Sequence, residues 1–88
     1  MKATAKSAPV ELLNWEGVQK AIRRNMANLG YAAKPYAQAI LQMDAPTANY
    51  GLDDGKGICC YFLGNVQGWR GDEARQVKAS IKKLAGIR

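Results

Sequence analysis

Large apolar residues in this chain recur three or four positions apart, and nowhere do they alternate convincingly with a period of two. Leu12, Trp15, Val18, Ile22, Met26 and Leu29 form one such stripe, and Ala74, Val77, Ile81 and Leu84 form another. That spacing lays one face of an α-helix against a core, whereas a lone strand would lack a partner. With 88 residues there is room for a single core. The expected fold class is therefore all-α, a compact bundle of about four short helices. Residues 9–88 make up the helical domain, behind a disordered basic tail over residues 1–8.

The punctuation between stripes sets the expected boundaries. The first helix runs from near Pro9 to about Leu29, with Gly30 in the left-handed conformation as its stop. Gly17 weakens its early part, so a later start near Asn14 or Glu16, with Asn14 as cap, is the alternative. A second helix follows Lys34-Pro35 and ends at Asp44-Ala45-Pro46, because the residue before a proline is pushed out of the helical region. Residues 44–57 then collect turn formers over the longest irregular stretch. The last helix opens at Asp72 and Glu73, carries Lys82 and Lys83 near its end and closes at Gly86, with both charge placements favourable to the helix dipole.

Ile58 to Val66 is ambiguous, since six buried apolar residues between glycines suit a strand as well as a helix. Ile58, Phe62 and Val66 repeat at four, as do Cys59 and Leu63, and no second strand is legible. Helix is the expectation.

Composition removes several chemistries. The chain has no histidine, which excludes a Ser-His-Asp triad, a His-assisted cysteine and a His metal ligand. Its two cysteines are adjacent, too few for a Cys-only zinc site and wrongly placed to close a loop. Cys59 and Cys60 lie in the most apolar stretch and read as small packed hydrophobes. A reactive thiolate would need a cation such as Lys56 or Arg70 beside it. Gly51 to Gly57 resembles a phosphate-binding loop only superficially. Three residues, not four, separate its first glycine from Gly55-Lys56, Gly57 replaces the magnesium-binding hydroxyl, and two carboxylates would face the phosphates. Asp53 and Asp54 do not match a calcium loop either, and read as a turn in which one of them caps the next helix. No catalytic residue, metal or cofactor is expected.

Met1 to Ala8 holds Lys2 and Lys6 with no apolar run behind them, unlike an export signal. With unpaired thiols as well, a reducing cytoplasm is the expected compartment. No apolar run approaches the roughly 20 residues of a membrane span. As a membrane-surface helix, residues 72–85 would offer only Val77, Ile81 and Leu84 as large anchors.

The basic residues remain. Lys plus Arg number 13 against 7 acids, a formal charge of +6. Six of the basic residues lie between Arg70 and Arg88, where only two acids occur. Lys20, Arg23 and Arg24 share the face of the first helix opposite its apolar stripe. Arg75, Lys78 and Lys82 share a face of the last helix, and Arg70, Lys83 and Arg88 extend it. Such faces either keep a small domain solvated or meet phosphates or an acidic protein surface. Trp15 and Trp69 read as core pegs, but Trp69 beside Arg70, if exposed, would make an interface anchor. The candidate partner-binding residues are Lys20, Arg23, Arg24, Trp69, Arg70, Arg75, Lys78 and Lys82.

Asn49-Tyr50-Gly51-Leu52-Asp53, Tyr61-Phe62-Leu63, Asn65, Trp69-Arg70-Gly71 and Ala74-Arg75 together resemble small accessory proteins carried by bacteriophages and other mobile elements. The resemblance covers about residues 49–85 and carries over no functional residue. It implies a stoichiometric binder of host machinery, as anti-CRISPR and other anti-defence proteins are, or a small regulator of transcription. The expected function is accordingly inhibition or modulation of a host protein or nucleoprotein complex through an acidic or nucleic-acid-binding surface. The alternative is direct binding of DNA or RNA phosphates. For that alternative no helix-turn-helix is legible, because the stretch after Met43 is too long for the motif's short turn.

Overall fold

The computed structural model describes residues 11–49, 51 and 54–87. It contains four α-helices: α1 (Trp15–Arg24), α2 (Lys34–Gln42), α3 (Gly55–Gly64) and α4 (Asp72–Ala85). Short 3-10 turns at Met26–Asn28 and Tyr31–Ala33 link α1 to α2, and the described residues contain no strand. The tail over residues 1–8, Pro9 and Asp53 lie outside the described residues. The helices form a ring in which α1 borders α2 and α4, and α3 borders the same two from the other side.

Of the two starts open for the first helix, the later one occurs. The Asn14 side chain accepts a hydrogen bond from the Gly17 amide at 2.7 Å and its carbonyl accepts from Val18 at 2.9 Å. Together they provide a helix N-terminus at Trp15 that leaves Glu11 outside the helix. The expected end at Leu29 is corrected to Arg24. The Asn25 side chain donates to the Ala21 carbonyl at 2.8 Å, while its amide is shared between Ala21 O at 3.2 Å and Ile22 O at 3.0 Å. The chain tightens into a 3-10 turn that still delivers Leu29 to the core. Gly30 is not left-handed but extended, with φ −64° and ψ 160°.

Pro35 lies in the first turn of α2 as expected, and the helix ends at Gln42, with Met43 extended yet buried. Its C-terminal carbonyls are satisfied from α1. Gln19 Nε2 donates to Ile40 O at 2.9 Å and to Met43 O at 2.8 Å, and Trp15 Nε1 donates to Met43 O at 2.9 Å. Trp15 therefore packs against the core and fastens α1 to the end of α2.

The ambiguous segment is helical as far as Gly64, with Asn65 as its cap and Val66 beyond it. α3 begins three residues earlier than Ile58, at Gly55, which presses on the Ala48 carbonyl. A Cβ built there would stand 2.1 Å from Ala48 O. Asp54 occupies the cap position and is exposed, with no side-chain capping bond of its own. Tyr36 and Tyr61 close the α2–α3 seam with ring centroids 5.5 Å apart.

α4 matches its expected span. Gly71, at φ 113°, supplies a cap conformation that a side chain rarely adopts, and Gly86 is left-handed at φ 72°. Beyond it, Ile87 N bonds Lys82 O at 2.8 Å and Gly86 N bonds Lys83 O at 3.3 Å, the paired arrangement that closes many helices. Val18 and Ile22, Ile40, Phe62, Val77 and Ile81 bring all four helices into one core, joined by Val66 and Trp69 from the α3–α4 connection. Ser80 is the polar member of this interior. It donates to Gln76 O at 2.6 Å and accepts from the Leu13 amide at 2.8 Å.

Candidate functional site

Packing and pairing divide the expected binding residues into three groups and leave Arg23 by itself. Trp69 is only 7% exposed and belongs to the core, so its reading as a contact anchor is corrected. It is seated there because the α3–α4 connection turns inward at Val66 and Trp69 and outward again at Arg70.

Lys20, Arg24 and Arg75 are exposed but already have carboxylates. Lys20 lies 3.8 Å from Glu16 one turn before it, and Arg75 pairs with Asp72 within the first turn of α4. Arg24 pairs with Glu73, whose other oxygen accepts from Asn25 Nδ2 at 2.7 Å. These bonds, Asn25 first and then Arg24, hold the Glu73 carboxyl below the usual carboxylate range. They also tie α1 to α4, so this part of the basic face is a structural seam.

Arg70, Lys78 and Lys82 are different. Among the described residues none of them has a carboxylate in ion-pair reach. Lys78 is half-buried and its Nζ donates to the Trp69 carbonyl at 2.6 Å, which brings it close to Arg70. Burial, then the charges of Arg70 and Lys82, push its ammonium below the ordinary lysine value. Arg23, on α1, is exposed and also without a carboxylate partner among the described residues. Arg88 lies outside the described residues.

Lys78 and Lys82 form one wall of a groove of about 380 Å³ between α3 and α4. Cys60 and Gly64 of α3 form the other wall, Leu63 and Ile87 form the floor, and Gln67 completes the lining. Little in the sequence pointed to these residues. Leu63 reads as part of a core stripe, Ile87 lies past the helix stop, and Gly64 has no chemistry of its own. Cys60 corrects another expectation, since it is exposed rather than packed. Cys59 is buried, and burial first, then Cys60 and Asp54, push its thiol up to about 11, so it stays protonated and inert near neutrality.

A larger hollow of about 510 Å³ lies at the start of α4, lined by Asn25, Asn28, Arg70, Asp72 and Glu73 among others. Its two carboxylates are already paired, and their charge opposes the helix terminus as an anion site. No group of three or more potential metal-ligating side chains occurs among the described residues, and no helix among them is long and apolar enough to cross a membrane.

Fold and groove thus define a small all-α bundle in which, among the described residues, Arg70, Lys78 and Lys82 form a basic cluster without ion-pair partners. No protein-family model, curated protein or solved structure matches this chain.

Proposed function

We propose that this chain is a small, non-catalytic binding protein of the phage-borne accessory kind. It inhibits or modulates a host protein or nucleoprotein complex by seating Arg70, Lys78 and Lys82 on an anionic surface. The observation that carries this reading is the contrast in pairing. Lys20, Arg24 and Arg75 each have an acid, whereas three neighbouring cations on the α4 side have one another. Like charges held together raise the energy of the free protein, and an arriving anion relieves that strain while its field speeds encounter. The lack of histidine and the protonated Cys59 thiol support a role without catalysis.

The test is a tagged pull-down from bacterial lysate, with and without nuclease, comparing the wild type with Arg70→Glu/Lys82→Glu. Both altered residues are exposed, and Lys78 stays in place to hold the Trp69 carbonyl. One host protein or complex retained after nuclease at near-stoichiometric yield, and lost in the double variant with its circular dichroism unchanged, is the expected result. Capture that ignores the double variant refutes the assignment. Loss of all capture on nuclease treatment replaces it with direct nucleic-acid binding.

A further inference from the structure

We infer that the α3–α4 groove receives an acidic helical segment of a protein partner. Two carboxylates one turn apart meet Lys78 and Lys82, and an apolar side chain enters between Leu63 and Ile87. This rests on the anionic-surface reading above and narrows it to one class of partner.

Spacing supplies the first argument. Lys78 and Lys82 are four residues apart on one helix, about 6 Å along its axis. A helix laid alongside α4 repeats its own carboxylates at the same interval when they stand at i and i+4. The second argument is the floor. Leu63 and Ile87 are partly buried hydrophobics packed against the core, and both line the groove. Its volume of about 380 Å³ is at the small end of the roughly 300–1,000 Å³ range of ligand pockets, suited to one or two side chains. A phosphodiester backbone offers carboxylate-like charge but no side chain to fill an apolar floor. The third argument is the low wall on the α3 side. Cys60 is small and exposed, and Gly64 is exposed with nothing within 4 Å of where a Cβ would stand. A second backbone can approach closely there.

Charge excludes the occupants nearest to hand. A second copy of this chain carries the same +6. The acids on its described helices, Glu16, Asp72 and Glu73, contain no pair at i and i+4, and all three are engaged in ion pairs. Residues 1–8 contain two lysines and no acid. An acidic amphipathic helix supplies both features the groove lacks, in the helix-in-groove mode of recognition. The buried side chain gives the contact energy, and the carboxylates give register and encounter rate.

The experiment uses fluorescence anisotropy with three probes at about physiological ionic strength. One is a labelled helix-forming peptide of about 16 residues, with glutamates at i and i+4 and leucines on the adjoining stripe. The others are a polyglutamate peptide of equal charge and a short DNA duplex. The amphipathic peptide should bind about tenfold more tightly than either, a difference of about 1.4 kcal/mol. Gly64→Trp, which fills the groove and leaves every charge in place, should remove that advantage without changing duplex binding. Gln67→Trp, at an exposed lining residue outside the helices, repeats the block if the first variant fails to fold. Equal binding of polyglutamate, tighter binding of the duplex, or indifference to the tryptophan variants overturns the inference. If any of these occurs while Arg70→Glu/Lys82→Glu still abolishes capture from lysate, the anionic-surface reading stands and only the acidic helix falls. If the double variant changes nothing, both fall.

Discussion

Two glycines at opposite ends of α3 should respond to the same substitution with opposite signs. Gly55 opens the helix and is buried against the 45–48 turn, which the Ala48 N to Ala45 O bond at 3.1 Å holds closed. An alanine Cβ there would stand 2.1 Å from Ala48 O and 3.0 Å from Ala48 N and C, where real Cβ atoms essentially never come closer than 3.0 Å. Backbone on both sides leaves no flexible side chain to yield, so either the turn or the helix start must move by about 1 Å. Overpacking of this kind costs about 3 kcal/mol or somewhat more, and the better helix propensity of alanine returns at most about 1 kcal/mol. Gly55→Ala should therefore lose about 2 kcal/mol, a fall in Tm of roughly 8–16 °C for a domain of this size. Gly64→Ala places its methyl in open space and should gain about 0.5 kcal/mol, through helix propensity and a less disordered unfolded state. Urea unfolding followed by circular dichroism measures both, with an unchanged m-value as the condition for comparing midpoints. A Gly55→Ala protein as stable as the wild type would refute the close packing of α3 on the 45–48 turn.

Three further outcomes follow from buried or paired groups. Ser80→Ala removes the acceptor of the Leu13 amide and should cost about 1–2 kcal/mol, with hydrogen exchange at Leu13 rising more than at Val18; unchanged exchange would show the bond to be dispensable. Glu73 has a folded pKa below its usual 4.5, so the stability it contributes is complete above that value and is lost as pH falls through the lowered folded value. Glu73→Gln should flatten the acid limb of the stability curve, with a small loss near neutrality because Glu73 and Arg24 are both partly exposed; an acid limb as steep as that of the wild type would contradict the assignment. Thiol titration of the native protein with an aromatic disulfide near pH 8 should consume Cys60 and spare Cys59 until denaturant is added, and rapid reaction of both would show that Cys59 is not buried.

The helices were legible where local chemistry and packing agree. In α4 the stripe, the acidic start, the basic end and Gly86 all point to the same boundaries, and the structure keeps them. Asn14 marked the alternative, later start that α1 takes in place of Pro9, but nothing local announced its end. The Asn25 amide is shared between the Ala21 and Ile22 carbonyls where the helix tightens, and its side chain bonds Ala21 O and also reaches Glu73, 48 residues away, so its conformation is set by α4 as much as by its neighbours. The start of α3 was hidden for a related reason. Gly55 reads as a turn residue, and only the position of Ala48 shows why glycine must stand inside the helix there.

The binding residues divide along the same line. Periodicity places Arg24, Arg75, Lys78 and Lys82 on helix surfaces, yet it cannot assign acids to bases across the bundle. Asp72 is close to Arg75 in sequence and claims it locally. Glu73, one residue on, points along another side of α4 and meets Arg24 from α1. Those two pairings use up the acids at the head of α4 and leave Arg70, Lys78 and Lys82 beside a groove whose remaining lining is neutral. The charge available to a partner is thus what remains after the fold has neutralised part of the basic face. The pairing experiment that isolates this effect is reversal of Glu73 to Lys. It frees Arg24 and adds a cation on the α1 side of α4, and it should raise general affinity for polyanions without improving binding of an acidic helix in the α3–α4 groove. An equal gain for both probes would mean that the partner senses the charge of the whole molecule rather than this seam.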